Sequence, residues 1–172
     1  MCNKRSFLAV TAFLTLIMYA CSNDDAFESE FDKSLDTSKS TKKTEGNSYS
    51  YTVNFGSVFG FGSNTTLTVI DGKVISRVYE AYQLDGSEKE IIESWSENEN
   101  ELNSHVEGAD TITLDQIYSS CKATILSVNE DENEITFLAE NNGLLSVCSY
   151  FSKNCQDDCS TGFNISEIRW ID

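Results

Sequence analysis

From Tyr49 the chain alternates. Tyr49, Tyr51, Val53 and Phe55 are apolar and the residues between them polar, which is the period of a half-buried strand over 49–55. Residues 65–71 (TTLTVID) and 73–82 (KVISRVYEAY) are rich in β-branched and aromatic side chains and are separated by Asp71-Gly72, the signal of a hairpin with a tight turn. Between them and the first strand lies FGSVFGFGS, whose glycines permit unusual backbone angles while Val58, Phe59 and Phe61 add apolar surface. The stretch from Ser87 to Glu107 is charged and Asn-rich around Ile91, Ile92 and Trp95. It reads either as a short helix or as an ordered excursion.

At Thr113 the period changes. Thr113 stands as an N-cap, Gln116 as its capping-box partner, and Ile112 and Ile117 as a hydrophobic staple. Leu114, Ile117, Tyr118, Cys121 and Ile125 then recur at helical spacing, predicting a helix that lies on the sheet and ends between Cys121 and Val128. After an acidic turn at Glu130 to Glu134, the runs ITFLAE and LLSVCSYF flank Asn141-Asn142-Gly143 as a second hairpin, and GFNISEIRWI supplies the last strand. The predicted domain, residues 48–172, is α+β: an antiparallel β-sheet of about five strands with one helix packed on a face.

Upstream the pattern thins out. From Ser22 to Asn47 the residues are mostly Ser, Thr, Asp, Glu and Lys, with Phe27, Phe31 and Leu35 the only large apolar side chains. Residues 21–47 are therefore expected to form a flexible acidic tether, spanning about 25 to 30 Å. Residues 1–20 carry Lys4 and Arg5, an apolar run from Phe7 to Met18 and small Ala20, the three parts of a secretory signal. That run is shorter than the roughly 20 residues of a transmembrane helix.

The stretch Leu16 to Cys21 (LIMYAC) resembles the lipobox of bacterial lipoproteins, with Met18 and Tyr19 where smaller residues are usual. The resemblance implies cleavage between Ala20 and Cys21 and lipidation of Cys21, whose acyl chains would partner the membrane at about 0.8 kcal/mol per buried methylene. Ser22-Asn23-Asp24-Asp25 resembles the export signal of Bacteroidota lipoproteins sent to the outer face of the outer membrane. It implies a lipid-anchored, surface-exposed protein, with a periplasm-facing anchor as the competing placement.

Charge narrows the partners. The chain has 12 basic and 28 acidic residues; without residues 1–20 it keeps ten basic ones and a net charge of −18. Nucleic acid is excluded as a partner, because phosphate backbones are bound by basic patches. Proline is absent, so turns fall to Asp71-Gly72, Asp85-Gly86 and Asn142-Gly143.

Cys2 leaves with the signal and Cys21 is committed to lipid. Cys121, Cys148, Cys155 and Cys159 remain for an oxidising compartment where thiols pair. Of the three connectivities, Cys155 with Cys159 and Cys121 with Cys148 is preferred, the second pair tying helix to sheet. Zinc is the weaker alternative: the spacing C-x6-C-x3-C contains no C-x2-C pair, and the one histidine, His105, is far upstream. No metal and no cofactor is expected. Asp157 and Asp158 supply too few oxygens for calcium, which takes six to eight.

Three motifs occur in a recognisable order: Tyr49 to Val53 (Y-x-Y-x-hydrophobic), Asp71 to Val74 (D-G-K-V), and Thr111 to Tyr118 at the start of a helix. With Asn142-Gly143 before a strand, this order resembles a family of small bacterial lipoprotein domains of unknown function, over residues 48–171. The family often carries cysteines near the first strand, where this chain has Gly and Phe, and it brings no catalytic residues to transfer.

The favoured function is a non-catalytic module of the cell envelope that binds a protein or a glycan, with Tyr79, Tyr82, Trp95 and Trp170 as candidate contact aromatics. An inhibitor or immunity-type protein, presenting an acidic disulfide-closed loop to a basic partner, is the alternative. An envelope hydrolase has less support, since no nucleophile and base motif surrounds His105. No catalytic residue is assigned.

Overall fold

The computed structural model describes residues 23–156 and 159–171. The signal at 1–20, the lipidation site Cys21 and the pair Asp157-Asp158 lie outside the described residues. The elements in chain order are α1 (Asn23–Glu45), β1 (Tyr49–Gly56), β2 (Phe61–Ile70), β3 (Lys73–Asp85), β4 (Glu88–Asn98), α2 (Leu114–Ser120) continued by a π-helical turn (Cys121–Ile125), β5 (Asn133–Leu138), β6 (Val147–Ser152) and β7 (Thr161–Trp170). The strands form one antiparallel sheet in the order β4-β3-β2-β1-β7-β6-β5. No described helix is long and apolar enough to cross a membrane.

An antiparallel sheet with helix packed on a face is thus what the chain builds, but with seven strands rather than about five and two helices rather than one among the described residues. The added strand β4 comes from the charged stretch left undecided above. It is an edge strand, and Glu88, Lys89, Glu90 and Glu93 make it a poor template for further pairing. The β2–β3 turn is as expected: Asp71 and Gly72 both have positive φ, 50° and 78°, and Ile70 pairs with Lys73, the geometry of a two-residue hairpin turn.

The flexible tether expected over 21–47 is corrected. From Asn23 to Glu45 the chain is a continuous helix, with Phe31 buried and Phe27 and Leu35 packed against the core. Those three residues are spaced i, i+4, i+8, a helical stripe too sparse to stand out from the polar background. Ser34 and Ser38 complete the buried face. Hydroxyls elsewhere in the helix bond back to its own carbonyls, Thr37 to Lys33 and Thr41 to Thr37, both at 2.9 Å, so a Ser/Thr-rich segment stays helical without competing turns.

Residues directly opposite in adjacent strands share a face of the sheet. Tyr49, Tyr51, Leu67, Val69, Cys148 and Ile165 point to one side, where α1, α2 and the π-helical turn cover them. Three tyrosine hydroxyls bond these covers to the rest of the domain. The Leu114 amide donates to Tyr49 at 3.0 Å, Tyr51 donates to the Ile112 carbonyl, and Tyr118 accepts from the Leu145 amide at 3.0 Å while meeting Ser34 of α1 at 2.8 Å. Burial pushes the Tyr49 hydroxyl up to about 12 and raises Tyr51 and Tyr118 as well. They are neutral cross-links at any physiological pH. The capping box predicted for α2 is present, with the Thr113 amide donating to Gln116 at 2.8 Å.

Phe31 sits edge-on to both Tyr118 and Phe137, at centroid distances of 5.8 and 5.7 Å. Phe31→Ala is expected to destabilise the domain by about 3 to 5 kcal/mol, read as a fall in the urea midpoint. A loss under about 1 kcal/mol would mean that α1 does not belong to the core.

Candidate functional site: a capped polar cluster, an open sheet face and apolar hairpin tips

Towards β2, β3 and β4 no helix lies above the covered side of the sheet among the described residues. Its cover is the loop from Glu99 to Thr113, held down by Glu97. Arg77 and Glu97 are directly opposed on β3 and β4, both almost fully buried, and make a bidentate pair through Nε and Nη2 at 2.9 and 2.8 Å. The same carboxylate accepts from the amides of Asn103 and His105 at 2.9 and 2.7 Å, and from the Ser104 hydroxyl at 3.0 Å. The His105 ring nitrogen Nδ1 lies 3.1 Å away. Arg77 also donates to the carbonyls of Ala109 and His105 at 3.1 and 2.8 Å. The Arg77 guanidinium holds the Glu97 carboxyl well below the usual carboxylate range; burial opposes this, and the His105 and Asn103 N–H groups add to it.

Aromatic stacking seals the cluster. Trp95 lies between Tyr79 and His105, with centroids 5.0 and 4.2 Å apart and rings near parallel, and Arg77 sits 4.8 Å from the Trp95 ring. Gly108 has φ of +90°, and a Cβ there would come within 3.2 Å of Thr65 and Tyr79. The loop therefore needs glycine to approach the sheet so closely. A carboxylate beside an imidazole is also how a general base is oriented. Here, however, both carboxylate oxygens are engaged, and Ser104 donates to Glu97 rather than being held as a nucleophile. The arrangement does the work of a clip.

Of the four candidate contact aromatics, Tyr79 and Trp95 are spent in this stack and Trp170 packs edge-on to Tyr49 at 5.1 Å. Tyr82 alone faces the open side of the sheet, where Lys89 lies 4.2 Å from its ring. The sulfurs of Cys121 and Cys148 are at disulfide distance, with Cα atoms 6.0 Å apart, and join the π-helical turn to β6. Cys155 and Cys159 are also at disulfide distance, Cα to Cα 6.3 Å. Among the described residues no group of three or more His, Cys, Asp or Glu is placed to hold a metal ion.

Two further surfaces are present, of which the sequence pointed only to the apolar Val58, Phe59 and Phe61. The uncovered face of β1 to β4 carries three cross-strand rows: Ser50, Thr68, Ser76 and Asn98; Thr52, Thr66, Val78 and Ser96; Asn54, Asn64, Glu80 and Ser94. Ten of these twelve side chains are hydroxyls or amides, and none of the twelve is buried. The Thr52 and Thr66 hydroxyls meet at 2.9 Å. The second surface is the end of the sheet at the β1–β2 and β3–β4 tips, where Phe55, Val58, Phe59, Phe61, Leu84, Ile91 and Ile92 are exposed. The polar positions alternating with Tyr49, Tyr51 and Val53 could have signalled the first surface, but only the register shows that they line up across four strands.

No protein-family model, curated protein or solved structure matches this chain.

The clip has a pH signature. A carboxyl held below its ordinary value of 4.5 contributes stability that is complete above that value and is lost as pH falls towards the folded-state value. Glu97→Gln leaves Arg77 buried without its counter-charge, and a loss of about 3 to 5 kcal/mol at pH 7 is expected. Urea unfolding at descending pH should show the gap between wild type and variant narrowing below pH 4.5, and a constant gap would contradict the assignment.

Proposed function

We propose that the protein is a lipid-anchored lipoprotein of the bacterial outer membrane, surface-exposed, whose domain is a non-catalytic binding module. The anchor reading is supported by the Leu16 to Cys21 stretch and the acidic residues after it. The resemblance to small lipoprotein domains accords with it. The binding reading rests on the open sheet face. Three rows of hydroxyl and amide groups both donate and accept hydrogen bonds, carry little charge and stand on rigid strands, with Tyr82 as an aromatic platform beside them. Such a face suits a polar ligand of extended shape, a glycan in preference to an apolar protein surface.

The two cysteine pairs are proposed as bonds formed after export. Cys121–Cys148, which closes a separation of 27 residues, would stabilise by about 3 kcal/mol in the chain-entropy picture. The four-residue separation of Cys155 and Cys159 would contribute less. Peptide mapping without reduction reads both.

Cys21→Ala should yield a protein that takes up no fatty-acid label. A variant still labelled would refute the anchor. The binding reading is tested by comparing wild type with Thr66→Arg, a substitution in the middle of the open face, on an array of bacterial surface glycans. Binding by the wild type that falls about tenfold or more in the variant, the cost of one misplaced contact of about 1.4 kcal/mol, is the expected outcome. Equal binding by both, or none by either, would count against the face.

A further inference from the structure

Single exposed apolar side chains are ordinary on a protein surface, but a contiguous group of them marks an interaction site. Val58 and Phe59 are 83% and 74% exposed at the β1–β2 tip. The Leu84 amide donates to the Gly60 carbonyl at 2.8 Å, which fixes that tip beside the end of β3, whose partner strand β4 carries the exposed Ile91 and Ile92. The shape of this surface identifies its occupant. By register, Phe55 and Phe61 belong to the covered side of the sheet and Leu84 and Ile91 to the open side. The apolar surface therefore wraps around the end of the sheet. An apolar surface that wraps around an end suits a medium that surrounds it, such as the interfacial zone of a bilayer.

Helix α1 brings the anchor to the same end. Tyr150 pairs with Ile135 and with Thr161, and Ile165 pairs with Val53, so Ile135 lies towards the end of the sheet reached by Gly56. Phe27, near the start of α1, lines an apolar groove with Ile135, Phe31 and Leu126. The helix begins at Asn23, two residues after Cys21, a distance of at most about 7 Å. β5 and β2 are four strands apart in the sheet, about 19 Å at the usual spacing. An acyl chain on Cys21 would therefore enter the bilayer at the end of the sheet that carries the hairpin tips.

We propose that the β1–β2 tip inserts into the interfacial zone of the bilayer that holds Cys21, with Leu84, Ile91 and Ile92 beside it at the membrane surface, giving the domain a second hold on the membrane and one orientation. The inference rests on the lipid anchoring of Cys21 proposed above. Charge selects the lipid: Asp85 and Glu88 close the β3–β4 turn, with Glu90 and Glu93 behind them and Lys89 as the cation among them, so a zwitterionic headgroup layer accepts this end of the sheet and an anionic one repels it.

The test uses the full acylated protein carrying Phe59→Trp, reconstituted into phosphatidylcholine vesicles with brominated acyl chains. The added indole should emit to the blue of an exposed indole and be quenched by the bromines, beyond whatever Trp95 and Trp170 show in the wild type. In the unacylated mature protein, with residues 1–20 removed and Cys21→Ala, Val58→Asp together with Phe59→Asp should lower partitioning into the same vesicles by at least about tenfold, and phosphatidylglycerol vesicles should bind less than phosphatidylcholine ones. Both positions are so exposed that neither change threatens the fold. Mass analysis of the N-terminal peptide reports acylation independently. An acylated protein with an unquenched indole overturns the insertion and leaves the anchor standing; an unacylated Cys21 overturns both. An unquenched indole in a protein that sediments as a dimer assigns the tips to a second copy and overturns the proposal.

Discussion

A single sheet has one face to bury, and everything else in this domain is arranged to bury it. Three unlike pieces share the task. α1 and α2 lie over the strands from β1 to β5, and an irregular loop lies over β2 to β4. Helices supply their own backbone hydrogen bonds, so their hold on the sheet is mainly apolar, with tyrosine hydroxyls adding direction. A loop has no such internal satisfaction. Its cover over β2 to β4 is possible because one carboxylate takes up the amides of Asn103 and His105 while Arg77 takes up two of its carbonyls.

The buried ion pair is therefore a device for attaching irregular backbone to a sheet. A pair of apolar residues at positions 77 and 97 would pack as well against Trp95, and in general such replacements are often neutral or stabilising. They would leave the loop's polar groups with nothing to bond. Desolvating Arg77 and Glu97 is offset by the number of partners each acquires, and the stacked Tyr79, Trp95 and His105 keep water from competing for them.

The same cluster explains where reading the sequence succeeds and where it stops. The Asp71-Gly72 hairpin, the capped start of α2 and the last strand rest on local signals that the tertiary structure does not override. β4 was ambiguous because its buried position is Glu97, and a pattern of apolar residues scores a glutamate as surface unless its arginine is known to stand opposite. α1 was missed because its packed face uses Ser34 and Ser38 where a helix usually shows leucine or alanine; their small size lets it approach, and the Tyr118 hydroxyl satisfies Ser34. The candidate aromatics divided in the same way. Tyr79 stands between Val78 and Glu80 and Trp95 between two serines, patterns that fit either face, and only pairing across β3 and β4 distinguishes a stack under a loop from a binding platform.

The strand order carries a consequence for how the molecule is made. β7, the last element of the chain, lies between β1 and β6 and is the sole link between the four strands that begin the sheet and the two that end it. Until residues 161–170 are available, the chain can form two separate ribbons but no continuous sheet, and the cover that spans them has nothing continuous to lie on. Contacts that must wait for the end of the chain form slowly. A polypeptide with this wiring cannot close its sheet until residues 161–170 have arrived.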